Sequence, residues 1–238
     1  MYIQKFNYQS LTRENVNGSR QYNTPDKSRV PSVTTILSAT EPPEKKQALN
    51  EWRKRVGTEK AQSITTAAAN RGTRMHSYLE KYVKEGNIGK CGSNPFAKQS
   101  YVMAEKIVEN GLSQCQEFWG TEVSLFFPKI YAGTTDCVGV HDGKECIIDF
   151  KQTNKEKRRE WIDDYFLQLL FYGTAHNELY NTNIKRGVIM MCIKPEMTDL
   201  GIITTEPKYQ EFVIENDEWE HYEQKMWKRI EEYYIKFG

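Results

Sequence analysis

The sequence predicts an α/β fold, with a central mixed β-sheet flanked by helices and a helical cap formed by the N-terminal half. Apolar residues between 44 and 110 recur at helical spacing, whereas runs rich in Val, Ile and Thr follow between 117 and 151. A helical segment then leads into Arg186–Ile193, a near-continuous apolar run that is typical of a strand covered on both faces. A helix between two strands of one sheet is a crossover, which is right-handed in nearly all proteins.

Composition excludes several classes of protein. The chain has 238 residues, enough for one large domain or two small ones. It has no apolar run of about 18 residues and no apolar signal region near Met1, so we expect no membrane partner. Its five cysteines include no CxxC pair, which argues for reduced thiols in a cytoplasmic setting and against a disulfide framework or zinc site. Because the net charge is only +1, nucleic acid binding would require local basic patches.

The distribution of apolar residues divides the chain. Residues 1–30 carry few apolar positions and are interpreted as an irregular N-terminal arm. No Pro/Gly/Ser-rich spacer interrupts the remainder, so 31–238 is predicted to be a single domain. Within it we expect a helical cap over 31–115, a sheet core over 116–214 and a C-terminal helix over 215–238.

The cap is predicted to begin with a helix start at Ser32 or Thr34, both residue types that cap helix N-termini. Capping alone explains these residues. In the functional alternative, the backbone amides of this helix start hold a phosphate.

The segment Glu44–Gly57 is predicted to be helical, with an aromatic residue inside a basic run. Trp52 is followed directly by Arg53, and Arg55 comes two residues later. Such a run is usually a solvated face. Bases also stack on aromatic side chains beside basic residues, so DNA binding is an equal alternative.

Residues 58–85 are predicted to form one or two helices. Their buried stripe is predicted at Met75, Leu79, Tyr82 and Val83. His76 lies one residue off this stripe, with Glu80 one turn later and Gly72 one turn earlier, where a glycine permits close approach. A lone helical histidine is more often structural than a ligand, and the residues of this segment alone leave both alternatives open.

A β-hairpin over 131–151 is the most informative stretch. Asp142-Gly143 is the commonest kind of two-residue hairpin turn, and pairing outward from it sets Asp136 opposite Asp149. Directly opposed residues have Cβ atoms about 4.5–5.5 Å apart, and like charges there are destabilising. The pairing therefore indicates a divalent cation between the two carboxylates.

The alternation of side chains along the second strand of this hairpin defines two faces. Lys151 shares a face with Asp149, while Ile148 and Phe150 point the other way, towards a core. Two carboxylates and an ammonium on one patch of sheet are typical of a metal-dependent phosphodiesterase.

Three polar features flank the hairpin, and each has a structural alternative. Three alternatives are open for Glu122, in a predicted strand over 117–127: it faces solvent, it pairs with a lysine, or it joins the acidic site. Residues 155–159 form a basic loop that is either a solvated helix start or a DNA contact. Gln168, in a predicted helix over 161–178, is either a satisfied core amide or a site residue.

The remaining elements are predicted from their apolar faces. The face of the helix after the hairpin is predicted at Trp161, Tyr165, Leu169 and Tyr172. Residues 210–214 are interpreted as an edge strand. The apolar side of the C-terminal helix is predicted at Trp219, Tyr222, Met226, Trp227 and Ile230.

The order of these features resembles the PD-(D/E)xK nuclease superfamily. Asp136, followed by Asp149-Phe150-Lys151, is similar to its signature. Features similar to its RecB-like branch are Gly72-xxx-His76-xxx-Glu80, Glu122 and Gln168-Leu-Leu-Phe-Tyr172. Features similar to the mitochondrial genome maintenance exonucleases and their phage-encoded relatives are Pro31-Ser-Val-Thr34, Glu51-Trp-Arg-Lys-Arg55 and Asp136-Cys-Val138. The Asp-x-Lys triplet alone is common by chance, whereas the ordered set over 30–230 is specific.

The resemblance implies a restriction-endonuclease-like core and a role for each matching residue. The implied ligands of Mg²⁺ or Mn²⁺ are Asp136, Asp149, the Phe150 carbonyl and His76. The implied catalytic set is Asp136, Asp149, Lys151, His76, Gln168 and, as an accessory, Glu122. Lys151 would orient or help deprotonate the attacking water. DNA contacts are expected at Ser32, Thr34, Trp52, Arg53, Arg55, Thr153, Lys155, Arg158 and Tyr172.

Two positions depart from the family pattern. Many relatives have Thr directly after the lysine, whereas here Gln152 precedes Thr153, which shares the Lys151 face if the strand continues. Relatives with an iron–sulfur cluster carry three clustered cysteines downstream. Only Cys192 follows the lysine here, so we expect no cluster.

The sequence therefore predicts a monomeric, Mg²⁺- or Mn²⁺-dependent DNA exonuclease that acts on single-stranded DNA or DNA ends in replication, recombination or repair. One alternative is a catalytically silent DNA-binding or recombination scaffold on the same fold. The intact Asp136, Asp149 and Lys151 argue against it. A restriction-type endonuclease is a second alternative, which lacks an obvious recognition module here.

Overall fold

The structure, a computed structural model, describes residues 1–237 and opens with a small antiparallel sheet. Its strands are β1 (Thr12–Val16), β2 (Ser19–Asn23) and β3 (Arg29–Pro31). The prediction of an irregular arm over 1–30 is therefore wrong for these residues. Asn17 and Gly18 have φ of 51° and 79°, the left-handed pair of a type I′ hairpin turn. The strands were missed because they are polar and lack apolar alternation.

Four helices follow, in the region predicted to form the cap. They are α1 (Val33–Ala39), α2 (Pro43–Val56), α3 (Thr58–Glu85) and α4 (Pro95–Asn110). Ser32 Oγ accepts a hydrogen bond of 3.0 Å from the Thr35 amide, which confirms Ser32 as the N-cap of α1. Residues 58–85 form one helix of 28 residues.

The main sheet has five strands. They are β4 (Cys115–Phe127), β5 (Tyr131–His141), β6 (Lys144–Thr153), β7 (Arg186–Ile193) and β8 (Lys208–Glu215), in that spatial order. Only the β6–β7 pair among them is parallel. These pairings confirm the mixed sheet, the crossover between β6 and β7, the covered strand β7 and the edge strand β8.

The central hairpin has the predicted register. Asp142 and Gly143 both have positive φ, and His141 pairs with Lys144 directly beside them. The same register pairs Cys137 with Ile148 and, extended by one residue, sets Asp136 opposite Asp149.

Two long helices complete the layers, α5 (Asp163–Tyr180) and α6 (Asp217–Phe237). One face of the main sheet packs against α1, α5 and α6, and the other packs against α3 and α4. Ile147 lies in the first core, whereas Ile148 and Phe150 lie in the second. Asp149 and Lys151 therefore share the face that looks towards α5, as the strand alternation predicts.

Two tryptophans do not lie where the helical spacing placed them. Trp161 belongs to a 3₁₀ turn ahead of α5 and is 54% exposed, because the helix begins only at Asp163. Trp227 lies at the rim of α6, 37% exposed, with its edge against Phe127. The buried face of α6 consists of Trp219, Tyr222, Met226 and Ile230.

The division into cap, sheet core and C-terminal helix stays a prediction, and its last residue, Gly238, lies outside the described part of the chain. Throughout residues 1–237, the helices are too short or too polar to cross a membrane.

Candidate active site

A cavity of about 560 Å³ opens where the small sheet, α1, α3 and α5 meet the strands β4, β5 and β6. Its lining is mainly polar and comprises Arg13, Arg20, Tyr22, Ser32, Val33, Thr34, Gly72, Thr73, His76, Ser77, Glu80, Glu122, Gly133, Thr134, Asp136, Asp149, Lys151, Gln168 and Tyr172. All six predicted catalytic residues are thus brought together, although they span 93 positions of the chain from His76 to Gln168.

Asp136 is held where the β5–β6 pairing stops. Its Oδ2 accepts a hydrogen bond of 2.7 Å from the amide of Phe150, a residue of β6. Its Oδ1 lies 3.2 Å from Nδ1 of His76. Burial alone would raise the pKa of Asp136, but the nearby His76 and Lys151 cations lower it below its ordinary value. The carboxyl group is therefore ionised at neutral pH.

His76 projects from α3 because the buried stripe of that helix faces elsewhere. Met75, Leu79 and Val83 are fully buried in the second core, as predicted, while Tyr82 is only partly buried. The His76 ring stands edge-on to the Phe150 ring at 6.0 Å. Burial would lower the pKa of His76, but the Asp136 carboxylate raises it above its ordinary value.

Glu122 joins this pair from a position of β4 with a left-handed backbone. Its backbone has a φ of 50°, and the ladder with β5 passes from Thr121–Cys137 to Val123–Thr135 around it. One potential ligand atom from each of His76, Glu122 and Asp136 lies within 4.8 Å of the others. Burial and the neighbouring Asp136 raise the pKa of Glu122. The structure thus brings Glu122 within reach of His76 and Asp136, and its accessory role stays a prediction.

Asp149 and Lys151, two residues apart on the same face of β6, form an ion pair. Lys151 Nζ also donates a hydrogen bond of 3.2 Å to Gln168 Oε1 and lies 5.0 Å from the centre of the Tyr165 ring. Burial raises the pKa of Asp149 to about 6, against the opposing effect of Lys151. Burial would lower the pKa of Lys151, but the Asp149 and Asp136 carboxylates raise it.

The donor chemistry of the site fits a hard divalent cation. Carboxylate oxygens are the ligands that Mg²⁺ and Mn²⁺ prefer, and His76 adds a nitrogen. Oδ2 of Asp149 is buried and already pairs with the Lys151 ammonium. His76, Glu122 and Asp136 thus offer donor atoms that suit such a cation, and the predicted ligand set stays a prediction.

Phe150 and Tyr172, two further predicted site residues, have buried side chains. The Phe150 side chain is buried in the second core, and a ligand role for its carbonyl stays a prediction. Tyr172 is 5% exposed and lines the cavity as predicted. A Cβ on Gly133 would lie 2.7 Å from the Tyr172 ring, so glycine at this position of β5 lets the ring reach the cavity wall.

The predicted DNA contacts are dispersed. Ser32 and Thr34 line the cavity, although the Ser32 hydroxyl is already engaged in capping α1. Thr153 is buried, and its hydroxyl donates to the Lys155 carbonyl instead of facing the cavity. Outside the cavity lining lie Trp52, Arg53, Arg55, Lys155 and Arg158.

Sequence reasoning missed Arg13 and Arg20, which reach the cavity from β1 and β2. The Asn17-Gly18 dipeptide between them was the available signal, because it marks a two-residue hairpin turn.

Comparison with known proteins relates the chain to nucleases. No family model matches it. It is 28% identical to mitochondrial genome maintenance exonuclease 1 of Xenopus tropicalis over 86% of this chain and 57% of that protein. Against the mouse and human proteins of the same name it is 26% identical over 69% of this chain, and it covers 50% and 49% of their lengths. The chain thus spans about half the length of the curated relatives it matches.

Comparison with solved structures adds little. The crystal structure of SSO0001 covers 70% of this chain and 74% of that protein, at 16% identity and a TM-score of 0.30. A likeness at this level carries no argument about the fold or the function.

Proposed function

We propose that this chain is a metal-dependent DNA exonuclease on a PD-(D/E)xK core of the RecB-like branch. The observation that carries the proposal is the meeting of Asp136, Asp149 and Lys151 with His76 in one polar cavity. The exonuclease names of the relatives support the same reaction class. The reaction would be hydrolysis of a phosphodiester bond in single-stranded DNA or at a DNA end.

His76, Glu122 and Asp136 would hold Mg²⁺ or Mn²⁺, together with Asp149. When bound, such a cation supplies Lewis-acid stabilisation of the charge on a phosphate group. The Phe150 amide fixes one oxygen of Asp136, which leaves the other directed towards His76. The proposed ligand set would therefore draw on the β5–β6 hairpin, β4 and α3.

Lys151 would act on the phosphate directly. Its raised pKa keeps the ammonium protonated at neutral pH, so it can donate hydrogen bonds to a phosphate oxygen on which negative charge develops. Asp149 and Gln168 hold the ammonium from two sides. This preorganisation favours charge stabilisation in the transition state over mere binding of the substrate.

The surface of α2 supports a preference for single-stranded DNA. This helix buries no residue and exposes Arg53 and Arg55 next to the half-buried Trp52. Basic side chains around an aromatic platform bind single strands by charge and stacking. If the strand must thread beneath the helical half, circular single-stranded DNA will resist cleavage. Equal cleavage of circular and linear single strands would exclude threading.

The proposal is tested with linear single-stranded DNA labelled at either end. We expect loss of the label with Mg²⁺, no loss with EDTA, and no loss with the isosteric Asp149→Asn variant. The label released first would report the polarity of digestion. DNA that is bound but never degraded with any divalent cation would contradict the nuclease proposal and favour a silent scaffold.

A further inference from the structure

The small N-terminal sheet brings two arginines to the cavity that the ligand set and Lys151 do not account for. Arg13 in β1 and Arg20 in β2 both line the cavity that contains Asp136, Asp149 and Lys151.

The small sheet is fixed to the main sheet, so these arginines are held in place. Tyr22 is 3% exposed and packs with Val30 against Ala132 of β5. Its hydroxyl lies 3.4 Å from Oγ1 of Thr134. The Ser32 amide donates a hydrogen bond of 2.9 Å to the Arg20 carbonyl, which ties β2 to the start of α1.

The strand register explains why both arginines face the cavity. Arg20 and Tyr22 are two residues apart in β2 and share one face of the small sheet. Arg13 pairs directly with Tyr22 across the β1–β2 ladder, so it lies on that same face. Tyr22 anchors this face to β5, and the two arginines extend it towards the acidic centre.

The two guanidinium groups are available for a ligand. Within residues 1–237, the side chains of Arg13 and Arg20 form neither an ion pair nor a hydrogen bond, and both residues are exposed. Arg29 of the same sheet differs, because it pairs with Glu14 at 3.4 Å. The nearby carboxylates of Asp136 and Asp149 are engaged by His76 and Lys151.

We propose that Arg13 and Arg20 form a phosphate clamp, which grips the backbone of a nucleic acid strand beside the bond that is cut. Guanidinium groups suit this task because their planar forks bind phosphate oxygens in pairs. The clamp rests on the proposed nuclease function and adds to it a second, cationic wall of the active site. It would position the strand against Lys151 without taking part in bond breaking.

The test measures binding of a fluorescent single-stranded oligonucleotide in EDTA, where no hydrolysis is expected, over a series of salt concentrations. We expect Arg13→Gln and Arg20→Gln each to weaken binding about five- to ten-fold. Each should also reduce the slope of log affinity against log salt by about 0.7, the value for one phosphate contact on a single strand. Arg20→Lys should restore most of the slope because it keeps the charge. In the presence of Mg²⁺, the glutamine variants should raise KM more than they lower kcat.

Arg29→Gln is the matched control, since it removes an arginine of the same sheet that does not line the cavity. Its affinity and salt slope should equal those of the unsubstituted chain. Glutamine variants at 13 and 20 that bind like the unsubstituted chain, or an equal loss in Arg29→Gln, would overturn the clamp while DNA cleavage by the unsubstituted chain still stands. If the unsubstituted chain neither binds nor cleaves DNA, the nuclease proposal fails and the clamp fails with it.

Discussion

At the scale of single residues, the site depends on buried charges that hold one another in place. Lys151 is 19% exposed at its side chain and contacts Asp149, Gln168 and the Tyr165 ring. Removing one member of such a pair leaves the other charge buried without compensation. Single substitutions here therefore affect both the reaction and the local structure, and each needs a matched control.

We expect Lys151→Ala to lower kcat by at least about 100-fold while DNA affinity changes little, because the ammonium acts mainly on charge that develops in the transition state. Degradation of end-labelled DNA with Mg²⁺ and binding in EDTA measure the two quantities. Lys98→Ala, an exposed lysine of α4, is the control. Normal turnover in Lys151→Ala would place the group that stabilises the phosphate elsewhere.

Glu122 allows a separate test of the cation site. Glu122→Gln should weaken Mn²⁺ binding at least about ten-fold, because it removes a charged oxygen donor from the group formed with His76 and Asp136. Titration calorimetry with Mn²⁺ and without DNA measures this effect. Glu80→Gln changes a carboxylate that lines the same cavity but pairs with Lys84 at 2.7 Å, and should leave Mn²⁺ affinity close to normal. Equal affinities in both variants would remove Glu122 from the cation site.

At the scale of elements, strands and helices both contribute residues to the candidate site. Helix α5 carries Gln168 and Tyr172 on its cavity side, and α6 packs behind it. Close approach of these two helices occurs at Gly173, where a Cβ would lie 2.6 Å from the indole of the buried Trp219. Gly72 of α3 differs, since a Cβ there would meet only Gln152 Cγ, at an ordinary 3.5 Å. The expectation that Gly72 permits an unusually close approach is therefore wrong.

These two helical glycines predict opposite outcomes. Gly173→Ala should lower the free energy of unfolding by about 1–3 kcal/mol, because the added methyl group would overlap the indole of the buried Trp219. Gly72→Ala should leave stability unchanged or raise it by up to about 1 kcal/mol, since alanine favours the helix. Urea unfolding of both variants measures the difference. A stabilised Gly173→Ala would show that α5 and α6 separate easily.

At the scale of the whole molecule, the first ten residues connect the sheet to α5. Phe6 packs against Trp119 of β4 and His176 of α5, and Tyr8 Oη lies 3.0 Å from His176 Nε2. Nδ1 of His176 lies 2.8 Å from Thr182 Oγ1. Burial, together with the nearby Lys5 cation, lowers the pKa of His176 to about 4. The neutral imidazole is thus the form that joins these segments.

This depressed pKa predicts a loss of stability in acid. The pKa of histidine in an unfolded chain is about 6.5, so unfolding takes up a proton at any pH between that value and the folded one. The free energy of unfolding should therefore fall as pH decreases from about 6.5 towards 4, by about 3 kcal/mol from this residue. His176→Gln should show a flatter pH dependence in this window when both proteins are unfolded in urea. Identical pH profiles would show that His176 does not cause the loss.

Local rules predicted much of the catalytic hairpin. The Asp142-Gly143 turn and the two-residue period of strands determine which residues oppose and which share a face, so Asp136, Asp149 and Lys151 were placed correctly. The apolar stripe of α3 likewise determined that His76 faces away from the second core. Strand β6 continues to Thr153, so this residue shares the Lys151 face as predicted, although its hydroxyl bonds to the loop that follows. Helical spacing failed at Trp161, which precedes the first turn of its helix.

The sequence by itself therefore determined the order of the elements after the small sheet, the mixed sheet and the core of the candidate site, because each depends on periods and turns read over a few neighbouring residues. Only the tertiary structure decided that Glu122 lies beside His76 and Asp136 and that Arg13 and Arg20 reach the cavity. Those positions depend on a left-handed residue in β4 and on the docking of a polar sheet through Tyr22. Contacts between residues of different elements leave no period in the sequence, and their geometry follows from how complete elements pack.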